Sequence, residues 1–127
     1  MAEPFHIDLP LPPSVNALYR NVPGRGRVKT GVYKTWRAAA DRYAWRQKPV
    51  GGFPRFERDF EIVIRVPANM QGDVDNRAKA TLDVLKDWLI ISDDRHAVAV
   101  TIRRCLGIAP GECRVAVKPG SIAQEAA

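Results

Sequence analysis

Phe5, Ile7 and Leu9 alternate with His6 and Asp8, and this period of two predicts a first strand. Pro10, Pro12 and Pro13 end it, because proline cannot donate to a ladder. No clear period follows until about Gly31, which predicts a long loop holding Asn16, Tyr19, Arg20, Asn21 and a Gly24-Arg25-Gly26-Arg27 tip. Loops of that length in a small domain are usually functional or mobile. Tyr33, Trp36, Ala40, Tyr43 and Ala44 recur at helical spacing and predict a helix from about Val32 to Gln47, ended by Pro49 and Gly51-Gly52. Its aromatic stripe reads as core packing, with Arg37, Arg42 and Arg46 on the other face. Phe60, Ile62, Ile64 and Val66 predict a second strand from about Phe56 to Val66, stopped by Pro67. A second helix opens near Asp73 to Asp75, with Ala78, Leu82, Leu85 and Leu89 as its expected buried stripe. Val98, Val100 and Ile102 mark a third strand. Cys113, Val115 and Val117 mark a fourth, expected to pair with the third across a turn at Gly107 to Gly111.

The order β-α-β-α-β-β predicts an α+β domain: an α/β-type mixed sheet with two helices packed on it. A chain of 127 residues has room for one core and not two. That single domain is expected over residues 1–119, with Gly120 to Ala127 as a disordered tail. The longest apolar run falls well short of the roughly 20 residues that cross a bilayer, so no membrane association is expected. Acidic Glu3 and Asp8, with no apolar core beside them, do not read as a signal peptide. The expected location is the cytoplasm, associated with the nucleoid. In that reducing compartment Cys105 and Cys113 are expected to be free and mostly buried thiols, near each other if the hairpin forms.

Charge changes the picture. The net charge is +6, but between Arg20 and Lys48 nine basic residues face a single acid, Asp41. Such a field attracts polyanions, and nucleic acid is the usual partner of a basic domain of this kind. Against this background the acids stand out. Asp73 and Asp75 sit where a loop gives way to a helix, and one of them is explained by capping. Two carboxylates about 4 Å apart repel by ~4 kcal/mol at an effective dielectric near 20, so a pair invites a cation or a shared proton. Asp93 and Asp94 follow the same helix, where its dipole disfavours acids; they read equally as turn residues or as ligands. Lys79 lies one helical turn after Asp75, either as a surface ion pair or as a cation ready to steady a phosphate. Acids clustered in a basic domain suit metal-assisted phosphodiester cleavage, with Mg2+ taking a few carboxylate oxygens.

Three motifs then carry a resemblance: Pro12-Pro13-Ser14-Val15-Asn16-Ala17-Leu18-Tyr19-Arg20, Asp73-Val74-Asp75-Asn76-Arg77-Ala78-Lys79, and Ser92-Asp93-Asp94. In this order they resemble the RusA family of Holliday junction resolvases, over nearly the whole chain to about Lys118. The resemblance implies a homodimer with magnesium-dependent active sites that nicks opposed strands of a four-way DNA junction symmetrically, in recombination and repair. It implies Asp73, Asp75 and Asp94 as catalytic carboxylates and metal ligands, Lys79 as the essential lysine, and Asn16, Tyr19 and Arg20 on a DNA-facing loop. Asp93 and Asp94 are adjacent, and Asp94 is favoured. The loop Val66 to Gly72 carries no positive charge, unlike that of arginine-rich relatives, so DNA contacts shift to Arg20, Arg25, Arg27, Lys29 and Lys34. A DNA-binding module without catalysis and a less selective branched-DNA nuclease are the competing readings.

Overall fold

The computed structural model describes residues 4–124. Its strands are β1 (Phe5–Pro10), β2 (Tyr19–Val22), β3 (Gly26–Lys29), β4 (Phe60–Pro67), β5 (Ala97–Cys105) and β6 (Glu112–Pro119). Its α-helices are α1 (Gly31–Gln47) and α2 (Ala78–Asp87), and short 3-10 turns cover Val15–Ala17, Val74–Arg77 and Asp94–His96. Four strands form one mixed sheet in the order β1-β6-β4-β5, and β2-β3 form a separate hairpin. Two helices and this sheet make the expected single α+β domain.

β4 explains why the sheet is ordered this way. Phe60, Ile62, Ile64 and Val66 are wholly buried, which sets the strand deep in the core, where backbone N–H and C=O groups on both edges need partners. β5 runs parallel to it and β6 antiparallel, with Ile64 level with Ile102 on one side and Val115 on the other. The expected pairing of the third strand with the fourth therefore does not form. Their connection passes over the end of β4, and a skipped strand carries the same turn signals as a hairpin. Cys105 and Cys113 are in consequence held apart by β4, both free, the first half-buried and the second buried. Burial, then the field of Asp8, pushes the Cys113 thiol up to about 12.

Replacing Ile64 by Ala at the centre of this sheet should destabilise the domain by about 2–5 kcal/mol. Thermal unfolding should show it as a Tm lower by on the order of 10 °C. A Tm within a degree or two of the unmodified protein would contradict this placement of the core.

α1 buries Tyr33, Trp36, Ala40 and Ala44, close to the predicted stripe, and Thr30 caps it by accepting from the Tyr33 N–H at 3.2 Å. Trp36 fastens the helix to the sheet through its indole N–H, which donates to the Pro10 carbonyl at 2.9 Å. α2 departs from its predicted stripe. It buries Ala80, Thr81, Val84 and Leu85, while Leu89 is 56% exposed. The helix ends at Asp87, and Leu89 takes a left-handed conformation (φ 61°) that turns the chain and delivers Ile90 and Ile91 to the core. The second strand begins four residues later than predicted, and Phe56 instead forms an isolated bridge with Ile91.

The long loop before α1 contains structure that periodicity missed. Val22-Pro23-Gly24-Arg25 is a tight turn closed by the Arg25 N–H on the Val22 carbonyl at 3.0 Å. Pro23 precedes Gly24 at φ 77°, the pairing a type II turn requires. Residues 120–124 have no regular secondary structure, and the rest of the expected tail, Glu125 to Ala127, lies outside the described residues, as does Glu3.

Candidate active site and nucleic-acid interface

Asp73 and Asp75 occupy the step from β4 into α2. The loop before them, Ala68 to Gly72, is held by two arginines from elsewhere in the chain. Arg104 on β5 donates to the carbonyls of Ala68, Met70 and Gly72. Arg77 donates to Gln71 at 3.1 Å and to Pro12 at 2.8 Å. The second bond joins two of the sequence motifs directly. Gly72 is required here: its φ is 89°, and a Cβ would lie 3.2 Å from the Arg77 guanidinium.

Asp73 has the extended backbone of a cap, yet its side chain makes no capping hydrogen bond. Asp75 is exposed in the 3-10 turn. Among the described residues neither carboxylate enters an ion pair. Capping thus does not account for Asp73. The turn at 74–77 packs against β5, and the turn at 94–96, which leads into that strand, packs against α2.

The two later acids divide their work. Asp93 is the cap, accepting from the Arg95 N–H at 3.1 Å. That bond is the main reason the Asp93 carboxyl is held below the usual range. Asp94 begins the 3-10 turn, and its field reaches Lys79.

Lys79 points forward rather than back. The 3-10 geometry of residues 74–77 breaks the helical register to Asp75, and the ammonium pairs instead with Asp83 at 3.0 Å. That hydrogen bond is the main reason Lys79 holds its proton above the ordinary lysine range. Asp83 was not among the residues singled out from the sequence, although its spacing of four from Lys79 was there to be read.

The basic residues gather on the hairpin and the start of α1, and Lys29 shares a pocket with Tyr33 and Asp83. Arg20, Arg25, Arg27 and Lys29 are exposed on the hairpin, Asn16 is exposed in the preceding turn, and Lys34 is exposed in the first turn of α1. Asn16, Tyr19, Arg20, Asn21 and Arg27 line a polar pocket of about 400 Å³. The Arg27 guanidinium lies 4.4 Å from the centre of the Tyr19 ring, and that ring meets Tyr33 edge-on at 5.8 Å. Tyr19 thereby ties the hairpin to α1.

The family model for endodeoxyribonuclease RusA matches residues 10–118, from the end of β1 to the end of β6. The chain belongs to the RusA family. As a RusA-family protein it is an endodeoxyribonuclease, of a kind that resolves Holliday junctions and acts on branched DNA. No curated protein matches it. No helix among the described residues is long and apolar enough to cross a membrane.

Resolvase nucleases of this kind generally use a divalent metal. Among the described residues no three acidic, histidine or cysteine side chains are gathered into a ready cage. A closed cage is not what such chemistry needs: a hard divalent ion of the magnesium type takes one or two carboxylates and completes its shell with water and phosphate oxygens. The carboxylates of Asp73 and Asp75, without ion-pair partners among the described residues, supply that donor chemistry. In this sense the residues fit a divalent ion.

Proposed function

We propose that this RusA-family enzyme is a magnesium-dependent endonuclease that acts as a homodimer and resolves four-way DNA junctions by paired, symmetric nicks. The observation that carries the reading is the presentation of Asp73 and Asp75, uncapped and unpaired among the described residues, in the motif that also carries Lys79. Asp73 and Asp75 would hold Mg2+, and Asp94, which is not gathered with them into a three-ligand cluster among the described residues, would join them as the third ligand. When bound, the ion lowers the pKa of a coordinated water and offsets charge on the phosphate oxygens.

The chain's own groups do the rest. Asp94 suits the ligand role better than Asp93, because the Asp93 carboxylate is already engaged by the Arg95 N–H. Lys79 keeps its proton and offers a cation to the non-bridging oxygens as charge builds on the phosphate. Asn16, Tyr19, Arg20, Arg25, Arg27, Lys29 and Lys34 hold the DNA, with backbone contacts that fix its position. Two copies related by a two-fold axis would present two such sites to opposed strands, as symmetric nicking requires.

A synthetic four-way junction tests the reading. With magnesium, the unmodified protein should nick two opposed strands at symmetric positions; with a chelator it should bind without nicking. Failure to nick in any divalent metal would favour a DNA-binding module without catalysis. Equal cutting of flaps, forks and linear duplex would favour a less selective nuclease.

A further inference from the structure

Asp83 is placed between two groups. One carboxylate oxygen takes the Lys79 ammonium at 3.0 Å, and the other accepts the Tyr33 hydroxyl at 2.6 Å. An i,i+4 pair on a helix surface is ordinarily loose, since both side chains move. Here one partner is anchored, because the hydroxyl that holds Asp83 belongs to Tyr33, which is wholly buried in α1. Four residues further along α1, Arg37 adds a second link between the helices, pairing with Asp87 on α2 at 2.6 Å. Two helices therefore clamp one carboxylate, and that carboxylate holds one lysine.

We infer that Asp83, oriented by the Tyr33 hydroxyl, is the positioning residue that aims Lys79 at the scissile phosphate. This rests on the role proposed for Lys79 above. A flexible four-carbon lysine left to itself samples many rotamers, and each must be frozen as the transition state forms. Fixing the ammonium beforehand removes that loss, and misplacement by about 1 Å can lower a rate on the order of a hundredfold. The clamp also continues outward. Tyr33 touches Tyr19, a residue of the DNA-facing hairpin, so the element that grips the backbone and the lysine share one buried ring as their support.

Asp83→Asn keeps the volume and removes the charge that holds Lys79. Single-turnover junction cleavage should fall about tenfold to a hundredfold, with junction Kd and Tm little changed. Tyr33→Phe, which deletes only the hydroxyl, should lower the rate in the same direction by a smaller factor. In a Lys79→Ala background, Asp83→Asn should cause no further loss, because the group it positions is gone.

A readout without metal or catalysis accompanies these. In metal-free protein with 13C-labelled lysine, the two Cε protons of Lys79 should be resolved when the ammonium is held. They should collapse to one averaged signal in Asp83→Asn. An unchanged Lys79 signal, or full cleavage by Asp83→Asn where Lys79→Ala is inactive, overturns the inference alone. A further full loss from Asp83→Asn in the Lys79→Ala background also overturns it. Absence of cleavage by the unmodified protein instead removes the functional reading on which it rests.

Discussion

Asp75→Asn is expected to reduce magnesium-dependent junction cleavage by at least about a hundredfold while leaving junction binding unchanged or tighter. The rate effect follows from removing a formal charge from the proposed ion site, where electrostatic contributions reach several kcal/mol and each 1.4 kcal/mol is about tenfold. The binding effect follows from sign: an exposed carboxylate facing a phosphate repels it, and the amide does not. Stability should hardly change, because Asp75 is exposed and has no ion-pair partner among the described residues. Cleavage and anisotropy binding assays on the same preparation separate the two effects. Magnesium should also raise the Tm of the unmodified protein more than that of the variant, since an ion that binds the folded state stabilises it. Near-normal cleavage by Asp75→Asn would remove this carboxylate from the site.

The second large effect is expected at the hairpin. Simultaneous replacement of Arg20, Arg25 and Arg27 by Ala should weaken junction binding by roughly a hundredfold near physiological salt, and should flatten its salt dependence. Each neutralised phosphate contributes about 0.9 to the slope of log K against log salt, so three lost contacts lower the slope by roughly 2.7. All three side chains are exposed, and the turn between the strands is closed by backbone and by Pro23-Gly24, so the fold should survive the change. The expected split is the reverse of Asp75→Asn: weak binding, with cleavage recovered at saturating protein. An unchanged salt slope would place the DNA on another face.

Much of this arrangement is legible before any coordinates. α1 could be read because four buried positions fall on one helical face, and β4 because buried and half-buried residues alternate along it. The hairpin is harder, since its strands are four residues each, three of the eight residues are charged, and no apolar alternation runs through them. Only Pro23-Gly24 announces it. β5 is legible as a strand but not in its place: it is an edge strand that leaves Val100 43% exposed, and its apolar alternation does not say which neighbour it pairs with. At the site, the Asp73-to-Lys79 motif is local and readable, whereas its supports are not. Arg104 reaches back 32 to 36 residues to the loop carbonyls, and Tyr33 meets Asp83 across 50. No period or spacing connects residues so far apart. A lysine four residues from each of two aspartates also leaves the choice of partner undecided until the 3-10 turn is known.

The position of β6 has a consequence for biosynthesis. Of the strands described it is the last to be made, yet it lies inside the sheet, between β1 and β4. While the chain is still emerging, β1 has no neighbour in the sheet at all, and one edge of β4 stays open. Vectorial growth can therefore assemble α1, the hairpin and a β4-α2-β5 unit, but the nucleolytic domain is sealed only when Glu112 to Pro119 slide into the gap. A nascent chain stalled before that point would carry the acidic motif without the sheet that supports it.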